Sequence, residues 1–76
     1  MSLEERIFQA RRAGCRAGLM GSGLSPELAE QWCDAWEREA ALQGRARSGE
    51  FWVDGQRWID AQLAARRSPN AVLVRR

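Results

Sequence analysis

The chain contains no histidine, no lysine, no threonine and no tyrosine, and only two cysteines and two prolines in 76 residues. Without histidine, the Ser–His–Asp and Cys–His nucleophile arrangements are excluded, and the commonest metal ligand is missing. Cys15 and Cys33 form no CxxC motif and have no further soft ligand nearby in sequence, so no zinc site is expected. They read either as small buried apolar residues of a reducing compartment or as a cross-helix disulfide. No apolar run approaches the roughly eighteen residues that a membrane span needs. The opening "MSLEERIFQARR" has no apolar region of the secretory type. A cytoplasmic protein without a membrane partner is the expectation.

What is present is equally restrictive. A chain of 76 residues is one domain, and at this size only about 60% of the unfolded surface is buried. It is too small to pack a core around a typical enzyme cleft. A non-enzymatic protein is therefore expected, with no cofactor, no metal and no small-molecule substrate. The composition, 45% apolar and 29% charged, is that of a folded domain, and four tryptophans supply much of the apolar area. All twelve positive side chains are arginine, which grips phosphates with two parallel hydrogen bonds and stacks on bases in a way lysine does not.

The hydrophobic spacing predicts an all-α fold: an antiparallel hairpin over 3–43, a third helix over about 48–67, and a flexible basic tail over 68–76. Residues 1–67 would form the single domain. The first helix runs from 3 to about 20, with Ser2 as N-cap and Glu4 and Glu5 in the first turn. Leu3, Ile7, Ala10, Gly14 and Ala17/Gly18 form one stripe, with Phe8, Cys15 and Leu19 beside it. "GSGLSP" breaks the helix, and Gly21 or Gly23 can take the left-handed conformation there. Ser25 and Pro26 are a good N-cap and first position for the second helix. Its apolar face is Leu28, Ala29, Trp32, Cys33, Trp36 and Ala40, and Glu30, Asp34 and Glu37 form a row elsewhere, read as a solvated face. Gly44 suits the turn that ends it. In the third segment Phe51, Trp52, Gly55, Trp58, Ile59, Gln62 and Leu63 share a helical stripe, with Ser48 as cap or a later start at Asp54. The competing reading is a hairpin turn at Asp54-Gly55. Within this arrangement Gly14 and Gly18 are expected in the core, leaving room for the indoles of Trp32 and Trp36, with Trp58 packed alongside.

Charge is unevenly spread. Residues 1–20 carry net +2, residues 25–43 net −4 and residues 45–76 net +4. Arginine clusters are the electrostatic footprint of nucleic-acid binding. The candidate contacts are Arg11, Arg12 and Arg16 on the first helix, then Arg45 and Arg47 at the glycine-rich joint. "GLMGSGLSPE" leads into a helix N-terminus but lacks the Gly-Lys-Ser/Thr ending of a phosphate-binding loop.

Two stretches carry a resemblance. "AGCRAGLMG" and "EQWCDAWEREA" resemble the ribosome modulation factor family, over roughly residues 8–43. Gly14, Ala17, Gly18 and Gly21 fit that family's first-helix pattern, with Cys15 in the place of an aromatic residue. Trp32, Trp36 and the charged run to Ala40 fit its second helix, with Ala35 in the place of a glycine. The resemblance implies a small helical protein that contacts small-subunit ribosomal RNA, helps form inactive ribosome dimers and so down-regulates translation.

The leading expectation is therefore a ribosome- or rRNA-binding module. The alternative is a small regulatory protein or inhibitor, possible for a phage-type chain, which binds a protein partner through the acidic second helix and the tail. A DNA-binding regulator ranks third, because a recognition helix of net −4 would be repelled by phosphates. A homodimer through the third segment is compatible with each.

Overall fold

The computed structural model describes residues 2–67 and contains three helices: α1 (Leu3–Gly21), α2 (Pro26–Leu42) and α3 (Phe51–Arg67). Among the described residues there is no strand, and no helix is long and apolar enough to cross a membrane. The tail predicted over 68–76 lies outside the described residues.

Local sequence sets the helix ends. The Ser2 hydroxyl accepts from the Glu5 amide at 3.1 Å, and the Ser25 hydroxyl from the Leu28 amide at 3.1 Å. Gly23 (φ +111°) and Gly44 (φ +69°) adopt the left-handed backbone that glycine tolerates. Gly23 lets the Leu24 amide reach back to the Leu19 carbonyl at 3.2 Å, and Gly44 lets the Arg45 amide reach the Ala40 carbonyl at 2.9 Å. Gly21 remains helical, so the left-handed position is Gly23. Ser48 precedes α3, its carbonyl accepting from the Phe51 amide at 3.1 Å. Asp54-Gly55 lies inside α3, which excludes the hairpin turn there.

α1 and α2 are antiparallel: Arg12 reaches Asp34 and Glu37, whereas Arg16, one turn later, reaches back to Glu30. α3 packs its Phe51, Trp52, Gly55 and Ile59 face against both. The core is Phe8, Cys15, Leu19, Ala29, Cys33, Trp36, Ala40, Phe51, Trp52 and Ile59, with Leu24, Trp32, Trp58 and Leu63 partly buried against it. Trp36 is its centre, 2% exposed. Its ring lies 5.4 Å from Phe51 and 5.7 Å from Trp58, and its indole N–H donates to the Phe51 carbonyl at 3.1 Å.

Two of the five residues expected in the core are on the surface instead. Gly14 and Gly18 are exposed; a Cβ on Gly14 would meet nothing within 4 Å, and one on Gly18 only the Gln56 side chain at an ordinary 3.6 Å. α1 is rotated so that Phe8, Cys15 and Leu19 face inward, with Arg12 among them. The inward face carries Phe8 and Leu19 at both ends of the interface and brings Arg12 to the α2 carboxylates, whereas the other stripe has Leu3 and Ile7 only near the helix start and small residues beyond. The Leu3–Ile7–Ala10–Gly14 stripe points outward, with Leu3 and Ile7 exposed. The glycine that makes room for an indole is Gly55. A Cβ there would lie 2.5 Å from Cδ1 and 2.6 Å from Nε1 of Trp36, far inside contact distance.

Candidate nucleic-acid interface

Arg12 is the most confined of the arginines that the charge pattern singles out. Its side chain is 13% exposed and holds three carboxylates of α2: Glu30 at 2.8 Å, Asp34 at 2.5 Å and Glu37 at 2.7 Å. Burial opposes its charge, but the hydrogen bonds to Glu37 and Glu30 outweigh that, and its pKa is raised above the usual guanidinium value. The row Glu30–Asp34–Glu37, read from sequence as a solvated face, is the receptor for this side chain. The spacing carried that signal, because residues 30, 34 and 37 share one helix face and must meet whatever α1 presents.

The other four candidates are also tied within the chain. Arg16 lies 3.1 Å from Glu30, and Arg11 donates to the Gly49 carbonyl at 2.5 Å. Arg45 pairs with Asp54 and stacks over the Trp36 ring at 5.4 Å. Arg47 reaches Glu5 at 3.3 Å and Glu37 at 3.6 Å, and its guanidinium lies 4.1 Å from the centre of the Phe8 ring. Arg11 and Arg47 hold the loop between α2 and α3 against α1, Arg45 ties that loop to α3, and Arg16 joins α1 to α2. The structure does not gather all five into one open basic patch.

Among the described residues, Arg6, Arg38, Arg57, Arg66 and Arg67 make no ion pair. Two of them frame a groove between α2 and α3. Leu28, Gln31, Trp32, Ala35 and Arg38 come from α2 at helical spacing, and Leu63 and Arg66 come from α3. The groove encloses about 420 Å³ and no carboxylate lines it. Trp32 is half-buried, with its edge against Trp58 at 6.1 Å, and the Arg66 guanidinium lies over its ring at 5.1 Å. An apolar floor, a partly exposed indole and two uncompensated guanidinium groups suit an anionic ligand that also has a flat ring.

A second groove runs along the other side of α3, between α1 and α3. Arg11, Gly14, Cys15, Trp52, Val53, Gln56 and Arg57 line about 530 Å³, again with no carboxylate. Gly14 therefore belongs to a groove wall. Neither Arg66 nor Arg38 is among the contacts that the charge pattern singles out. The usable signal for Arg38 was its phase: Arg38 is the one cation of α2 and falls beside Gln31 and Ala35, between the acidic row and Trp32.

Among the described residues no group of three or more histidine, cysteine or acidic side chains is placed to hold a metal ion. A comparison with protein-family models, curated proteins and solved structures finds no match for this chain. Over the described residues the fold is a small all-α, three-helix one.

Proposed function

We propose that this chain is a non-enzymatic RNA-binding module that takes single-stranded RNA in the groove between α2 and α3. The observation that carries this reading is the pairing of Arg66 with the half-buried Trp32, beside Arg38 and without a lining carboxylate. Unpaired RNA bases stack on aromatic rings and on guanidinium planes, and arginine holds the adjoining phosphate. A base can lie on the guanidinium plane that already covers Trp32. The likeness of residues 8–43 to the ribosome modulation factor family directs the choice of target, small-subunit ribosomal RNA, with reduced translation as the consequence. A partner protein docking on the acidic row of α2 is less favoured, because Arg12, Arg16 and Arg47 occupy that row.

The test is binding of a labelled single-stranded RNA across a salt series, followed by ribosome co-sedimentation. Replacing Arg38 and Arg66 together by alanine should weaken RNA binding by more than about tenfold, since each charge-assisted contact contributes roughly 1.5–3 kcal/mol. The same double change should reduce the salt slope by about 1.4, from two phosphate contacts at roughly 0.7 each. Unchanged affinity and slope, or a ribosome association that survives complete RNase digestion, would sink the reading.

A further inference from the structure

Cys15 and Cys33 lie within one buried cluster at the α1–α2 interface. The antiparallel register brings Cys15, next to Arg16, level with Cys33, next to Asp34, while the ion pairs of Arg12 and Arg16 hold the two helices together around them. Both are free thiols inside one core cluster, Cys15 7% exposed and Cys33 fully buried. The neighbouring Cys33 sulfur and burial push the Cys15 thiol up from its usual range. The two thiols differ in access. Cys15 forms part of the wall of the α1–α3 groove, whereas Cys33 has no route to solvent of its own. A small polar oxidant entering that groove reaches one sulfur, and the second waits behind it.

We propose that Cys15 and Cys33 form a redox-active dithiol that closes to an intramolecular disulfide when a hydroperoxide enters the groove between α1 and α3. Cys15 releases its proton to water in the groove, its thiolate Sγ attacks one peroxide oxygen, the O–O bond breaks, and the departing hydroxide takes a proton back from that water to leave as water. Cys15 is now a sulfenic acid. Cys33 Sγ attacks Cys15 Sγ, the S–S bond forms, and the sulfenic hydroxyl leaves with the Cys33 proton as a second water. Two electrons pass from the sulfur pair to the peroxide. The product joins α1 to α2 covalently beside the Arg12 clamp. The inference stands apart from the RNA reading, because it concerns the other face of α2.

The experiment treats the reduced full chain with one equivalent of hydrogen peroxide, under native conditions and in urea, and follows intact mass and tryptic fragments. The expected result is a monomer that has lost two hydrogen atoms, with fragments 13–16 and 17–38 recovered joined. Dithiothreitol should separate them, and closure should be at least as fast in the native chain as in urea. Either Cys15→Ser or Cys33→Ser should leave one thiol that forms no internal cross-link. Three results would overturn the proposal: thiols that remain reduced in the native chain and close only in urea, a stable sulfinic acid on one cysteine beside a free partner, or cross-links only between chains. The wild-type readout decides the question even where a serine variant fails to fold.

Discussion

α2 is held by different chemistry on its two sides. Toward α1 it presents carboxylates around Arg12 and, beneath them, the small side chains Ala29, Cys33 and Ala40. Toward α3 it presents Trp32 and Trp36, met by Phe51, Trp58 and the bare backbone of Gly55. The charged side satisfies its own groups: the arginines of α1 and the acids of α2 neutralise each other. On the aromatic side Asp54 is taken up by Arg45, and Arg38 and Arg66 at the edge make no ion pair among the described residues. The pairing that builds the hairpin and the proposed ligand surface thus occupy different sectors of one helix.

The comparison can be broken most forcefully at Trp36. Trp36→Ala removes the centre of the aromatic side and the N–H bond to Phe51, and should cost about 3–5 kcal/mol. In a domain this small that leaves little or no folded chain by urea titration and circular dichroism. A folded variant with a modest loss would show that α3 is held by something other than this indole.

The charged side should respond less. Arg12→Met leaves three carboxylates facing a methionine and should cost about 1–3 kcal/mol, discounted from the fully buried case because these carboxylates are partly exposed. The loss should shrink when Glu37→Gln is added, and the coupling from the double-mutant cycle gives the strength of the clamp. Additive losses would remove Arg12 from its role in the hairpin.

A last pair of variants separates two glycines by sign. Gly55→Ala forces a methyl group into the buried Trp36 ring and should destabilise by about 1–3 kcal/mol. Gly14→Ala, in open space on a helix, should stabilise by up to about 1 kcal/mol. Thermal melts of the two variants suffice, and equal signs would contradict the assignment of Gly55 as the residue that accommodates Trp36.

Much of the architecture was legible in the residues. Ser2, Ser25 and Pro26 mark helix starts by side-chain and ring chemistry, and the Phe51–Gly55–Trp58–Ile59 spacing identifies α3 despite its Asp-Gly. The rotation of α1 was not legible, because two adjacent stripes compete and only the tertiary structure decides between them. The outward stripe contains more apolar positions, whereas the inward one contains the larger side chains and one arginine whose partners lie on another helix. The candidate site shifted for the same reason. An arginine count does not distinguish charges that find acids in three dimensions from those that do not, and Arg12 and Arg66 look equivalent until the fold is assembled.

The central claim is that the arginines left unpaired on the aromatic side, and not those committed to the hairpin, meet RNA. Its most direct measurement is an NMR titration with a short single-stranded RNA, reading the arginine Nε–H and tryptophan indole N–H signals together. The account predicts that the Arg38 and Arg66 Nε–H and the Trp32 indole N–H shift in proportion to bound RNA while the Arg12 Nε–H stays in place. Shifts led by Arg12 and Arg16, with Trp32 and Arg66 unmoved, would contradict it.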